Sequence, residues 1–442
     1  MKLQTVLSKI DGSINHSNSL PDNFELTEEA KRAYEIIQRK VPVTFITGRA
    51  GTGKTTFIQY LRNEYKGNQI VLAPTGMTAI NIKGQTIHSF FRFPPRTFED
   101  DEISDKHNRV IDCIDLIVID EVSMVQSDLI DHIDFALRKW KKNDKPFGGV
   151  QLVLVGDCFQ LSPWIKFGAE KRRFEANYRS QWFFDAHALQ NVEFEPINFT
   201  KIFRQKDPDF IRVLNRIRIN RHSEGDIRYI NDICFNNDSI HSEQVILTTT
   251  NEHADTLNTD ELSKIDQIGK KYYAKKVDQI SEEITKSIPE CLELKVGSKV
   301  IVTKNIHGAV NGSLAIVKEL QDDTVIVELC DTKQIVECNT EKWEQFEYEW
   351  DENNKKISSH KVGEYLQIPL RLGWAITIHR SQGLTFTSIK IDLSKGVFAP
   401  GQTYVALSRC KTLQNISLAR KLCDQDIITD KRIIDFYSEM FC

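Results

Sequence analysis

Long apolar runs are missing from this sequence. No stretch of its 442 residues approaches the roughly 18 apolar residues of a membrane-crossing helix, and the opening MKLQTVLSKIDGSINH has no unbroken apolar segment. Neither a membrane span nor a secretory leader is expected. Cysteine pairing signals are missing too. The nine cysteines are odd in number and never form a C-x-x-C pair, which argues against a disulfide framework and a zinc ribbon and for a reducing, intracellular home. Nor is either charge in surplus. Lys plus Arg number 58 against 62 Asp plus Glu, a net charge of −4, so bulk positive charge cannot be what holds a nucleic acid, while a local groove stays open. Repeats are absent, and biased composition is confined to the acidic, aromatic EKWEQFEYEWDENNKK. Lacking targeting signals and long basic extensions, the chain reads as a compact cytoplasmic enzyme of prokaryotic or phage type. What is present is a globular composition, 40% apolar and 27% charged, in a length that suits about two to four domains.

Patterning supplies the organisation. Residues 1–24 are polar and read as a loose lead-in. In LTEEAKRAYEIIQ apolar residues recur at helical spacing, with Thr27 placed as an N-cap. VTFIT then reads as a buried strand, followed by QIVLAP, LIVID, QLVLVGD and VEFEPINF with helical patterns between several of them. This alternation is α/β, with a mostly parallel sheet whose ligands bind at the carboxyl ends of the strands. A second alternation follows Phe203: FIRVLNRIR as helix, VILTTTN as strand, NEHADTLNTDELSKI as helix, and later IKIDLS and TYVALSR. Between them, from about 296 to 369, short β-branched runs broken by Gly, Asn and Asp have small-barrel spacing.

Three constellations carry chemistry. Gly48, Arg49, Ala50, Gly51, Thr52, Gly53, Lys54 and Thr55 fit G-x-x-x-x-G-K-[ST] between a strand and a helix, with Thr56 next. Such glycines let successive N–H groups face phosphates, Lys54 pairs with the β- and γ-phosphates of ATP, and the Thr55 hydroxyl ligates Mg²⁺. LIVIDEVSM ends a buried strand in Asp120 and Glu121. Asp120 suits holding the metal, and Glu121 suits orienting and deprotonating an attacking water. In LVLVGDCFQLSPW, Gln160 is placed to report a γ-phosphate by hydrogen bonding; Asp157 and Gln160 building only a turn is the other reading.

These elements, together with TIHSFF, LIDHIDFALRKWKKNDKPFGGVQLVLVGDCFQL, IFRQKDPDFIRVLNRIR, QIPLRLGWAITIHRSQGLTF and GQTYVALSRC, resemble the Pif-one (petite integration frequency) helicase family of superfamily 1B. The resemblance implies two RecA-like domains, at 25–200 and at 201–295 with 370–442. It also implies an SH3-like barrel at 296–369 and a wedge hairpin at 92–110, for which an acidic loop is the alternative. It implies that Arg204 and Arg409 reach the γ-phosphate from the second domain, and that Gln382 and Gly383 lie near the nucleotide. Contacts to single-stranded DNA fall to Pro74, Thr75, Gly76, Thr86 and His88 in the first domain and to Thr249, Asn251, Thr377 and His379 in the second. For His88 and His379 a structural role stands beside the binding one. Phe90, Phe91 and Phe93 can stack bases or fill a core, and Trp164 is a further candidate stacker. Three positions depart from the family pattern: Ala30 where an adenine-reading glutamine is common, which leaves base specificity open, Arg380 for lysine and Gly373 for alanine. The implied activity is that of a monomeric, ATP- and Mg²⁺-dependent 5′-to-3′ DNA helicase acting on single-stranded, forked or structured DNA. An RNA or RNA–DNA hybrid unwinder and an ATP-gated single-strand clamp are the alternatives.

Overall fold

The computed structural model describes residues 20, 26–94, 98–163, 165, 168–205, 207–235 and 244–441, apart from the side chains of 169, 170, 173, 283 and 286. The expected lead-in (save Leu20) and Trp164 lie outside the described residues.

Six parallel strands make the first sheet: β1 (Val43–Gly48), β2 (Gln69–Ala73), β3 (Gln85–Thr86), β4 (Leu116–Ile119), β5 (Gln151–Val155) and β6 (Phe194–Phe199), in the order β3-β2-β4-β5-β1-β6. Strand alternation divides their side chains between two cores. Phe45, Leu72, Ile119 and Leu154 face the helix Ser127–Lys141, while Ile46, Val71, Val118 and Val153 face the helices Glu28–Gln38 and Lys54–Glu64. Thr27 caps Glu28–Gln38 as expected, accepting from the Ala30 N–H. Because β1 sits between β5 and β6 and away from β2, the chain leaving β1 enters a crevice at the carboxyl edge.

The second sheet is also parallel, in the spatial order Ala375–Thr377, Val245–Thr248, Ile389–Asp392, Ile416–Leu418. It has its own core around Phe210, Leu247, Ile391 and Val405. Its first helix, Pro208–Arg218, starts at Asp207, whose carboxylate accepts from the N–H groups of Asp209 and Phe210. Between these strands lies a five-stranded antiparallel sheet over a separate core of Val300, Val317, Val327 and Val336.

Four expectations are corrected. The β-region is larger than 296–369: Lys270–Tyr273 pairs with Cys291–Leu294, Lys275–Asp278 joins the hairpin Glu341–Asp351/Lys356–Gln367, and Leu370–Leu372 completes the five-stranded sheet. The acidic, aromatic segment is that long hairpin rather than a low-complexity stretch. Its Tyr348 hydroxyl bonds both the N–H and the C=O of Val71 on β2, at 3.0 and 3.1 Å. Residues 92–110 form no hairpin among the described residues; a short 3₁₀ turn, Asp100–Glu102, packs on Ser127–Lys141 through Phe98 stacked on His132. Finally, the C-terminal helix Lys431–Phe441 returns to the first domain, where Phe436 stacks on Phe184 at 3.9 Å and Arg432 pairs with Asp185.

Candidate active site

Left-handed backbone at Gly51 and Gly53, φ 78° and 85°, curls the loop after β1, and Gly53 caps the helix that begins at Lys54. At Gly51 a Cβ would lie 2.5 Å from Arg204 Cβ, so glycine is required for space as well. Lys54 Nζ donates to the carbonyls of Gly48 and Arg49 at 2.7 and 3.1 Å, inside the curl. Burial lowers its pKa, against the raising pull of Asp157 and Glu121. From the start of the second domain, the Phe203 N–H donates to Gly51 O at 2.9 Å.

β4 delivers the acidic pair. Asp120 is buried, and its Oδ1 accepts from the Glu121 N–H at 2.9 Å while Glu121 adopts a left-handed φ of 50°. Burial, then the Glu121 charge, pushes Asp120 up to about 7; burial likewise raises Glu121, against the pull of Lys54. After β5, Gln160 Nε2 donates to Asp157 Oδ2 at 3.3 Å. Across the interface Gln382 Nε2 donates to Glu121 Oε2 at 3.3 Å and to Gln160 Oε1 at 3.2 Å. The structure thus brings Glu121, Gln160 and Gln382 together as one chain spanning both domains, with Gly383 exposed beside it.

The two expected arginines are held differently. Arg204 is largely buried, and its Nη1 has no hydrogen-bond partner among the described residues. Arg409 is wholly buried with every nitrogen engaged in its own domain: Nε to Val405 O, Nη1 to Ser381 O and Leu384 O, Nη2 to Ser408 Oγ. It braces the turn that presents Gln382. Burial and the charge of Arg204 lower Arg409 to about 9.

An open cleft of about 1160 Å³ between the domains is lined by Thr55, Asp120 and Glu121 on one side and by Arg371, His379, Arg380, Gln382 and Gly383 on the other, with Thr75 at its edge. Thr75 caps the helix Gly76–Asn81, next to half-buried Pro74 and buried Gly76. Thr86 caps Ile87–Phe91 from a buried position and does not line this cleft; Gly76 and Thr86 line a smaller one against Gln345 and Phe346 of the long hairpin. His88 is half-buried on that helix. Thr377 is buried, its hydroxyl accepting from the Arg380 N–H; Thr249 is buried, its hydroxyl without a partner among the described residues; Asn251 and His379 are exposed, the latter stacked against Phe398. Phe90, Phe91 and Phe93 are core residues, with Phe91 and Phe93 stacked at 5.1 Å. The Gly373 departure has a steric reason, since a Cβ there would lie 2.7 Å from the Val300 carbonyl carbon.

Sequence reasoning missed three polar partners of the site, the buried Tyr404 and Arg218 and the half-buried Tyr437. Tyr404 OH accepts from the Ala50 N–H at 3.4 Å and donates to Asp157 Oδ2 at 3.3 Å. Tyr404 lies in GQTYVALSRC, on the wholly buried helix Gln402–Leu407, where a phenol next to Val405, Ala406 and Leu407 was the available signal.

The residues fit a nucleoside triphosphate. Lys54 and Arg204 bring two cations to a glycine loop at a helix N-terminus, and one of them carries an orphaned buried donor. Among the described residues no group of three His, Cys, Asp or Glu is placed to hold a metal unaided. Magnesium, which takes few protein ligands and completes its shell with phosphate and water, would be held by Thr55 and Asp120.

A glycine phosphate loop on a parallel sheet, an acidic pair on the neighbouring strand and cations from a second parallel-sheet domain define a tandem RecA-like P-loop protein. The chain belongs to the PIF1-like helicase family, whose sequence model matches residues 25–225. It is similar to Pif1 from Bacteroides sp in complex with ADP-AlF4, at 35% identity and a TM-score of 0.87 over 95% of this chain and 98% of that one. The same Bacteroides protein bound to ssDNA superposes with a TM-score of only 0.69 at 36% identity over 94% of this chain. The human ATP-dependent DNA helicase PIF1 is 27% identical over 454 residues, covering 96% of this chain, which spans 65% of the human protein's length. Relatives from human and Bacteroides alike give no support to a specifically prokaryotic or phage source. Among the described residues no helix is long and apolar enough to cross a membrane.

Proposed function

We propose that this chain is an ATP-driven 5′-to-3′ DNA helicase and single-strand DNA translocase, with Mg²⁺ as the metal. The observation that carries the reading is the continuous hydrogen-bonded chain from Glu121 through Gln382 to Gln160, which makes the hydrolytic carboxylate sensitive to the position of the second domain. Mg²⁺·ATP, when bound, supplies the phosphoanhydride to be cleaved and the charge that Lys54, Arg204 and Arg409 answer. The protein's part is to cradle phosphates with the Gly48–Gly53 backbone and Lys54, to place the acceptor Oε2 of Glu121 for a water proton, and to bring the free Nη1 of Arg204 to the developing negative charge. Arg409 acts by its charge and by holding the Gln382 turn.

Thr75 and His379 come from different domains and open on the same cleft as Asp120 and Glu121, so a strand lying there is gripped by both domains while the nucleotide changes. Pro74, Gly76, Thr86, His88, Thr249, Asn251 and Thr377 stand outside that lining and would extend the track beyond the cleft, mostly with uncharged donors that allow release and regrip. The arrangement here matches the ADP-AlF4 form of the Bacteroides relative better than its ssDNA form. In this reading strand binding therefore moves the domains. One chain supplies the loop, the acidic pair and both arginines, which supports a monomer as the working unit, and a duplex step of about 1.4 kcal/mol lies within what one ATP supplies.

The test is ATP hydrolysis with and without single-stranded DNA, beside strand separation on duplexes with a 5′ or a 3′ tail. DNA-stimulated turnover and opening of the 5′-tailed duplex alone, both abolished by Glu121→Gln, are expected. Nucleotide binding without turnover, and no opening of either duplex, would leave an ATP-gated clamp instead.

A further inference from the structure

Behind the phosphate loop the buried polar atoms converge on Asp157, and most of its side-chain partners come from outside the first domain. The carboxylate is fully buried, a costly position unless every lone pair is answered. Arg218, at the end of the first helix of the second domain, donates to Asp157 Oδ1 from Nε at 3.2 Å and from Nη2 at 2.8 Å. Its guanidinium lies 4.1 Å from the centroid of the Phe159 ring. Arg218 Nη2 also donates to Tyr437 OH at 3.3 Å. Tyr437 stands on the C-terminal helix, with its ring edge-on to Phe159 at 4.6 Å and its hydroxyl bonded to Thr47, the residue immediately before Gly48.

A carboxylate only accepts, so Asp157 fixes which way the Gln160 amide points: its nitrogen toward Asp157 and its oxygen toward Gln382. That oxygen is what receives Gln382 Nε2, the same group that reaches Glu121. The polarity of the whole chain to the hydrolytic carboxylate is therefore set at Asp157, and Asp157 is held by Arg218. Thr47 is the second point of attachment, at the root of the phosphate loop.

We infer that Arg218 and Tyr437 are positioning residues for ATP hydrolysis, and that the C-terminal helix is a strap that ties the second domain to the strand leading into the phosphate loop. The inference rests on the ATPase reading above. The strap is anchored apart from the joint, by Phe436 on Phe184, by Arg432 on Asp185 and by Trp182 Nε1 donating to Asp430 at 2.7 Å. Anchoring and positioning can therefore be separated by mutation.

Tyr437→Phe keeps the ring on Phe159 and removes both hydroxyl links; Thr47→Val removes the same link from the other side. Each is expected to lower DNA-stimulated kcat about tenfold with KM for ATP within about twofold, and the double variant is expected to be no slower than the slower single one. Phe184→Leu, which loosens only the anchor, is expected to lower the melting temperature and leave kcat in place. Unchanged kcat in Tyr437→Phe, multiplying effects in the double variant, or losses that merely track the folded fraction would each overturn the positioning role. A wild-type chain with no ATP turnover overturns this inference together with the ATPase reading. Wild-type turnover with an unaltered Tyr437→Phe overturns this one alone.

Discussion

Arg204 and Arg409 are equivalent as letters in a motif and unlike as side chains in the fold. One keeps a buried donor without a partner among the described residues, and the other spends all three nitrogens on four oxygens of its own domain. Single-turnover rates separate the two roles. Arg204→Ala is expected to slow hydrolysis about 10³-fold with nucleotide affinity nearly kept. Arg409→Lys is expected to be as poor as Arg409→Ala, because an ammonium cannot brace the Ser381 and Leu384 carbonyls together with Val405 O and Ser408 Oγ; full activity in Arg409→Lys would refute the bracing role. Asp157 carries a pH prediction. Burial alone would raise its carboxyl, but Arg218 and Lys54 more than offset that and hold it below the ordinary range. A depressed acid contributes stability that is complete above its unfolded pKa of about 4 and is lost as pH falls through the lower folded value. Urea midpoints are thus expected to carry the full Asp157 contribution, with no pH dependence from it, between pH 5 and 8 and to fall below about pH 4. Asp157→Asn should lose about 3–5 kcal/mol at neutral pH and show a shallower acid limb. Gly48 to Thr55, Asp120 and Glu121 were legible because each set is contiguous and follows an apolar strand. The partners of Asp157 were not, since Arg218 and Tyr437 are 219 residues apart and meet only through packing.

Among the elements, the long hairpin shows what periodicity can and cannot convey. In EKWEQFEYEWDENNKK the residues Phe346, Tyr348 and Trp350 alternate, which is the mark of a strand, yet the acidic composition masked it. Nothing in the segment names the surface it covers. Beside β3, which pairs with only Leu72 and Ala73 of β2, the edge of β2 at Val71 is open, and the Tyr348 hydroxyl fills it. Tyr348→Phe leaves those two backbone groups unpaired and is expected to cost about 1–3 kcal/mol. Hydrogen exchange should show faster exchange at Val71 and along 341–367 with β1 and β5 unchanged, and equal protection in the variant would mean the phenol is not what seats the hairpin. The insert at 92–110, for which a wedge hairpin and an acidic loop both stood open, was only partly legible for a related reason. Its acidic residues are exposed, as their composition suggests, while Phe98 and Ile103 are buried and Asp100 bonds His132 at 2.8 Å, contacts that depend on a helix some 30 residues away.

For the whole molecule, the two parallel-sheet domains and the inserted β-region were legible from alternating periodicity. The crossings that bind them were not: one hairpin and one terminal helix both leave their own part of the chain to pack on the first domain. These crossings give the arrangement two ties of different character. The C-terminal strap holds by stacked aromatics and the Arg432–Asp185 ion pair, whereas the hairpin holds at the β2 edge by the buried Tyr348, by Trp350 and Ile357 only partly buried against the first core, and by polar contacts, among them Asn108 Nδ2 to Tyr348 O at 3.1 Å and Ile357 N to Asn68 Oδ1 at 3.3 Å. If a strand entering the cleft is gripped from both sides, the weaker tie is the one that yields. Adding single-stranded oligothymidylate is therefore expected to deprotect Val71 and residues 341–367 in hydrogen exchange while Thr47, Asp157 and residues 431–441 keep their protection. A non-hydrolysable ATP analogue alone is expected to leave the hairpin protected. Deprotection of the terminal helix with the hairpin still seated would reverse the order of the two ties and place the moving joint at the nucleotide end.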